Sequence, residues 1–199
     1  MLGQMIDQFF HPFDIAILMM IHNLAVATNN AFEVPCEIIS FFFNNGGIPV
    51  IIILLGLIYY RPTRKVAFCT AVALIFGVLM TNLYIKNVVV RARPYNSTYT
   101  FLYDWWEFAG AHVESEFSFP SGHTTAISAI IVTCVCMLKS KWRYLLFLGM
   151  PLMGFVRCYL MVHYPSDIIG GIIVGSFAGY LGYRLGTYLY SRRELEEKV

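Results

Sequence analysis

The sequence predicts an all-α, polytopic transmembrane helix bundle, and three observations predict it. Only 13% of the 199 residues are charged while 58% are hydrophobic, whereas a soluble domain devotes about 25% of its residues to charge. The apolar residues fall into runs that approach the roughly 20 residues needed to cross a bilayer. Lys and Arg gather in clusters between those runs and after the last of them, as membrane topology requires. The length suits a single domain, residues 1–199. A net charge of +2, thinly spread, excludes nucleic acid as a partner. Five Cys (Cys36, Cys69, Cys134, Cys136, Cys158) lie mostly in apolar runs without a CxxC pair, so they read as packing residues rather than a disulfide framework or zinc site. Residues 1–13 contain no Lys or Arg, so no cleavable signal peptide is expected there. No internal repeat or low-complexity linker is visible.

Taken in order, residues 14–29 are apolar but carry His22 and Asn23, and are short for a span. Ile15, Leu18, Met19, Ala25 and Val26 recur at helical spacing, which predicts an interfacial amphipathic helix; a sixth span is the alternative. Residues 33–43 form a second amphipathic piece with Glu33 and Glu37 one turn apart. Asn44-Asn45-Gly46-Gly47 then breaks the chain. Five spans follow: Ile48–Tyr60, extended by Phe41–Asn45; Val66–Ile85; Thr124–Leu138, extended back to Pro120; Tyr144–Val162; and Ile168–Tyr190. In the last, Gly171, Gly175 and Gly179 at spacing four, then Gly182 and Gly186, make a ridge on which another helix can pack closely.

With five spans, Arg61, Arg64 and Lys65, then Lys139, Lys141 and Arg143, then Arg192, Arg193 and Lys198 all fall on one side, which should be the cytoplasm. The C-terminus is expected there, and residues 1–47 outside. The outer face would hold the end of the second span, the loop 95–119 and the turn 163–167. Phe101, Tyr103, Trp105, Trp106 and Phe108 of that loop suit an anchor at the lipid–water boundary.

The residues with chemical potential collect on that outer side. Pro120-Ser121-Gly122-His123 opens a span: Pro120 suits a first helical position, Gly122 permits close approach, and free amides of a first turn favour an anion. Lys86 and Arg93 are two helical turns apart, so they are expected on one face. Arg91 stands between them; basic residues near helix ends also snorkel to headgroups, a reading that competes most strongly here. Arg157 is an intramembrane cation and a functional candidate by default. His163 precedes Tyr164-Pro165, where Pro pushes Tyr164 out of helical geometry. Pro165 then opens the last span with Asp167 at its third position, four residues from His163. A carboxylate on one imidazole nitrogen makes the other more nucleophilic. A zinc site on His123, His163 and Asp167 is opposed by the surrounding cations. The inventory suits phosphoryl transfer through a phosphohistidine, with no metal and no cofactor.

Lys86-x6-Arg93-Pro94, Pro120-Ser121-Gly122-His123 and Arg157-x5-His163-x3-Asp167 together resemble the three-part signature of the type 2 phosphatidic acid phosphatase superfamily, across residues 86–167. Val156 stands where the third motif usually has Ser, which removes a hydroxyl and no charged group. The resemblance implies phosphate binding by Lys86, Arg93, Ser121, Gly122 and Arg157, a nucleophile at His163, its orienting Asp167, and an acid/base at His123. It implies a metal-independent phosphatase acting on a membrane lipid phosphate: phosphatidate, phosphatidylglycerol phosphate or undecaprenyl pyrophosphate. The short chain and outward-facing site favour the latter two, in a bacterial plasma membrane. A phosphotransferase using the same residues and a non-catalytic lipid-binding or scrambling protein are the alternatives. Neither the particular lipid nor the oligomeric state is legible in the residues.

Overall fold

In a computed structural model the chain is described over residues 2–44 and 47–196, the side chains of 194 and 195 excepted. Asn45 and Gly46 of the expected break, and Lys198 of the basic tail, lie outside the described residues. Helices account for the architecture and no strand occurs among the described residues. In order they are α1 (Leu2–Ala27), α2 (Glu33–Phe41), α3 (Ile48–Tyr59), α4 (Arg64–Val78), α5 (Lys86–Val89), α6 (Thr100–Phe108), α7 (Gly122–Met137), α8 (Gly149–Tyr159) and α9 (Pro165–Glu196). A π-helical turn, Leu79–Ile85, joins α4 to α5, and a 3-10 stretch, Lys141–Leu148, leads into α8.

The centre is a three-helix core of α4, α7 and α9. Small residues make it possible: Ala73, Ala129 and Ala178 meet with no exposed surface. The glycine ridge of α9 is packing, as expected. Cβ atoms on Gly171, Gly175 and Gly179 would run into α7 at Ser121, Thr125 and Ala129, and on Gly182 and Gly186 into Ala73 and Cys69 of α4. Thr133 Oγ1 on α7 donates across the seam to Gly179 O at 3.0 Å. All five cysteines are free, and Cys36, Cys69 and Cys158 are buried.

These contacts fix direction. The start of α7 lies against the start of α9, while the start of α4 lies against the end of α9, where Lys65 faces the Tyr190 ring. The clusters at 61–65, 139–143 and 192–193 therefore share one end of the bundle. Lys86, the start of α7 and the start of α9 share the other.

Three stretches, Leu2–Ala27, Arg64–Asn96 and Pro165–Arg193, are long and apolar enough to cross a membrane by length and composition; Ile48–Tyr59 and Gly122–Met137 are shorter apolar helices. The first helix is thus longer than residues 14–29, continuing through Pro12 to Leu2. Four of its polar side chains reach toward the site end: Asp7 and Asp14 bond Arg91, His11 stacks on Tyr99, and His22 stacks on Trp105.

One other expectation changes. The stretch 144–162 is not one regular helix. Pro151 lacks an N–H and its ring would strike the carbonyl four residues back in α geometry, so α8 starts just before it and the 3-10 turns precede it. At about 2.0 Å per residue in 3-10 and 1.5 Å in α geometry, the two pieces together still extend on the order of 30 Å. The aromatic loop supplies internal support on one face while Tyr103 and Phe108 stay exposed. Leu102 and Trp106 of α6 are buried, Trp106 stacks on Tyr95, and its Nε1 donates to His112 O at 2.8 Å.

Candidate active site

Three chain breaks deliver the site residues to one end. The first follows α5. Lys86 follows the π turn, whose wide winding brings Lys86 and Asn82 beside Gly122: a Cβ there would lie 3.8 Å from Lys86 Nζ and 3.7 Å from Asn82 Oδ1. Insertions of this kind in helices are frequent at functional sites. Val90 then adopts left-handed geometry (φ 53°), and Arg93 is in extended backbone. The expected shared helical face of Lys86 and Arg93 is therefore wrong, because the helix stops at Val89. The two converge through the Val90 turn, a conformation that costs a non-Gly residue about 1–2 kcal/mol.

The second break is the cap of α7. The helix starts at Gly122 with Ser121 as N-cap, so Pro120 precedes the cap instead of occupying the first helical position. Ser121 Oγ accepts from Thr124 N at 3.4 Å and Thr124 Oγ1 at 3.0 Å, leaving its own proton for a ligand. His123 follows in the first turn. Its Nε2 lies 2.9 Å from Asn44 Oδ1, 3.3 Å from Ser40 Oγ and 3.3 Å from Arg157 Nη1. Nε2 thus faces an acceptor on Asn44 and a donor on Arg157.

The third break is the turn between α8 and α9, where the expectation holds: α9 begins at Pro165, with His163 in the turn before it. Asp167 is wholly buried. Its Oδ2 accepts from Ser118 Oγ at 2.6 Å and Tyr164 N at 2.9 Å, and lies 3.4 Å from His163 Nδ1. Its Oδ1 accepts from Arg91 Nη1 at 2.6 Å. His163 Nε2 faces Arg93 Nη1 at 3.3 Å, and Arg93 also donates to Val162 O and Glu116 O. An arginine N–H directed at Nε2 leaves Nδ1 to carry the proton toward Asp167. Burial, then the charges of Arg93, Arg157 and Lys86, hold His163 well below the ordinary imidazole range.

The cations are occupied from within the chain. Glu114 bridges Arg157, through Nη2, and Arg93, whose Nη2 is 4.0 Å from its other oxygen. Burial alone would raise the Glu114 carboxyl; the Arg157 guanidinium, with Arg93 behind it, draws it down to about 2. Glu116 pairs with Lys86 Nζ at 2.5 Å and receives Asn82 Nδ2 at 3.4 Å. Arg157 Nη1 bonds Ser40 Oγ, while Arg157 Nε is buried without a partner. A buried donor left unpaired costs about 1–3 kcal/mol. Beside these groups lies a cavity of about 470 Å³, with Asn82, Lys86, Arg93, Glu114 and Glu116 in its wall.

Lys86, Arg93, Ser121, Gly122, His123, Arg157, His163 and Asp167 are thus brought to one end, in two connected groups: His163 with Asp167 and Arg93, and His123 with Arg157. Glu114 links them. Such an array can hold a compact oxyanion between two imidazoles. Sequence reasoning missed Ser40, Asn44, Glu114, Glu116 and Ser118, and, among the partners of Arg91, Asp7, Asp14 and Ser166. Alternation of Glu114 and Glu116 just before the Pro-Ser-Gly-His stretch was the available signal; Ser40 and Asn44 carry none. Arg91 does not snorkel, being buried against three carboxylates.

Known proteins resemble this chain. The sequence profile of the PAP2 superfamily matches residues 62–191. A lipid A 4′-phosphatase of Bacteroides thetaiotaomicron is 29% identical over 140 residues, covering 68% of this chain and 62% of that protein. An undecaprenyl-diphosphatase of Sulfolobus acidocaldarius is 26% identical over 131 residues, 65% of this chain and 59% of that one. Phosphatidylglycerophosphatase B of Bacillus subtilis is 29% identical over 146 residues, 67% and 64% of the two chains. The matched stretch therefore spans about three-fifths of each relative. Among solved structures, Aquifex aeolicus LpxE superposes with a TM-score of 0.64 at 19% identity, over 86% of this chain and 95% of that one; at that identity the likeness speaks to fold.

Proposed function

The chain belongs to the PAP2 superfamily, and from that premise and the geometry above we propose that it is a membrane phosphatase that removes phosphate from a lipid phosphate or diphosphate. One observation carries the reading. Glu114 bridges two guanidinium groups, and each of those groups lies 3.3 Å from Nε2 of one histidine. A carboxylate held this way marks where a phosphate would sit, between a nucleophile and a proton donor.

On this proposal an incoming phosphate takes the place of the Glu114 and Glu116 carboxylates against Arg93, Arg157 and Lys86. Ser121 Oγ–H and the Gly122 amide add hydrogen bonds, and Arg157 Nε gains an acceptor. His163 Nε2 attacks phosphorus as the P–O bond to the lipid breaks. His123, entering as the imidazolium, gives its Nε2 proton to the departing oxygen and is left neutral. Positive charge on the imidazole is balanced by Asp167 through Nδ1–H. His123 then takes a proton from water, whose oxygen attacks phosphorus; the N–P bond breaks and inorganic phosphate leaves. Preorganised cations around the phosphoryl oxygens supply the electrostatic part of catalysis.

The proposed address is a bacterial plasma membrane with the site on the extracytoplasmic face and the C-terminus in the cytoplasm. It is supported by the basic clusters at the far end of the bundle. Headgroups would then meet the site at bilayer level. Relatives that are named for lipid A, undecaprenyl diphosphate and phosphatidylglycerophosphate define the substrates to try. Purified protein is assayed in EDTA for phosphate release from each, beside phosphatidate. Release from at least one, abolished in His163→Ala, is the expected result; no release from any, or equal release by the variant, refutes the proposal.

A further inference from the structure

We propose that Arg91, gripped by Asp14 and Asp7 of α1, is a positioning residue for the His163–Asp167 pair, so that the N-terminal helix forms part of the working site. The inference rests on the phosphatase reading for its kinetic arm only. It concerns α1 (Leu2–Ala27), which lies outside the stretch matched by the superfamily profile, residues 62–191.

Arg91 is 1% exposed and every nitrogen of its guanidinium is engaged. Nε bonds Asp7 Oδ1 at 2.7 Å, and Nη2 bonds Asp14 Oδ2 at 2.8 Å. Nη1 bonds Asp167 Oδ1 at 2.6 Å and Ser166 Oγ at 2.7 Å. The Tyr164 ring covers the guanidinium face at 4.0 Å. Asp14, equally buried, also accepts from Ser166 N at 2.8 Å and Ser166 Oγ at 2.7 Å. It thereby caps the start of α9 from another helix, where a carboxylate meets free amides and the positive end of the helix dipole.

The consequence for chemistry is geometric. With Oδ1 of Asp167 fixed on Arg91, Oδ2 is left to Ser118, the Tyr164 amide and His163 Nδ1. This keeps the His163 proton on Nδ1 and the lone pair on Nε2. Charge matters as well. Arg91 divides its attraction between two buried carboxylates, so Asp167 keeps the negative character that an imidazole bonded to phosphorus needs. Remove Asp14, and Arg91 leans wholly on Asp167. A Lys at 91 could reach one of these partners but not hold all of them, because the planar fork is what spans them.

The experiment measures kcat, KM and melting temperature in detergent for wild type, Asp14→Asn, Asp7→Asn and Arg91→Lys. The packing variant Gly175→Ala serves as a comparison. In parallel, 15N-histidine NMR, with His163 assigned by its loss in His163→Gln, reads the tautomer without any substrate. The expected result is a kcat about tenfold or more lower in Asp14→Asn and Arg91→Lys with KM within about twofold, the scale for a displaced catalytic group. The His163 spectrum should move from the Nδ1–H form toward a mixture. Asp7→Asn, altering a half-exposed partner, should fold normally and show the same changes in smaller measure. Wild-type kcat and an unchanged His163 spectrum in these variants overturn the inference. So does a loss of kcat that only tracks melting temperature, as in Gly175→Ala, with the tautomer intact. If the wild type hydrolyses no lipid phosphate, the phosphatase reading fails, and the NMR arm still decides the role of Arg91.

Discussion

Arg157→Lys is the most instructive single change. Arg157 sits in α8 with 1% of its surface exposed and holds Ser40 through Nη1 and Glu114 through Nη2. Its Nε is buried and unpaired. Lys preserves the charge but is one point donor in place of a fork, so it cannot serve Ser40, Glu114 and a phosphate oxygen together. The loss expected is one charge-assisted hydrogen bond to the bound phosphate, about 1.5–3 kcal/mol. At 1.36 kcal/mol per tenfold, this is roughly 10- to 150-fold in kcat/KM. Orthovanadate, which mimics pentacoordinate phosphorus, should lose affinity by a similar factor. The assay is phosphate release from a detergent-dispersed lipid phosphate over a vanadate titration, with thermal unfolding to show that the variant is folded. A folded variant within about threefold of wild type on both measures would refute a phosphate-binding role for Arg157.

Other consequences are testable in the same preparation. Gly175→Ala should lower the unfolding midpoint, because the new methyl meets the Thr125 carbonyl and Ser128; overpacking of this kind costs about 1–3 kcal/mol. The Glu114 carboxyl is depressed from 4.5 to about 2, so the stability it lends is complete above pH 4.5 and disappears as pH falls through about 2. The gap in unfolding midpoint between wild type and Glu114→Gln should narrow over that window, and a gap that widens on acidification would contradict the ion pair. His163 is held below its ordinary 6.5, so in the free enzyme it remains neutral and nucleophilic as pH drops through 6.5. The unfolded chain takes up a proton there and the folded one does not, so this group destabilises the fold below pH 6.5. The kcat/KM profile should accordingly show no loss at 6.5 that vanishes with changes around His163.

Much of this was legible in the residues because periodic features translate directly into helices. Low charge and long apolar runs define a helical membrane bundle. Glycines at spacing four along α9 foretell the close approach of α7 and α4. The Pro165 start and the four-residue step from His163 to Asp167 survive unchanged, since Pro fixes a helix origin and a single turn fixes the rest. Features that depend on breaks in regularity were not legible. A shared face for Lys86 and Arg93 assumed an unbroken helix, whereas the π turn and the left-handed Val90 deliver both residues by another route. Partners far apart in sequence were hidden for a related reason. Ser40 and Asn44 reach His123, and Asp14 reaches Arg91, across 75 or more positions. Nothing local in α1 or α2 announces those contacts. Glu114 and Glu116 looked like ordinary loop acids until the fold closed their loop over the three cations.

The central claim is that His163 carries the phosphoryl group. The direct measurement is a rapid quench of the enzyme with a lipid phosphate bearing 32P on the scissile phosphate, in EDTA, followed by peptide mapping. The account predicts an acid-labile, base-stable phosphoenzyme on the peptide containing His163, formed no more slowly than turnover and absent from His163→Ala. Phosphate release at full rate with no label on the protein, or label retained in His163→Ala, would contradict it.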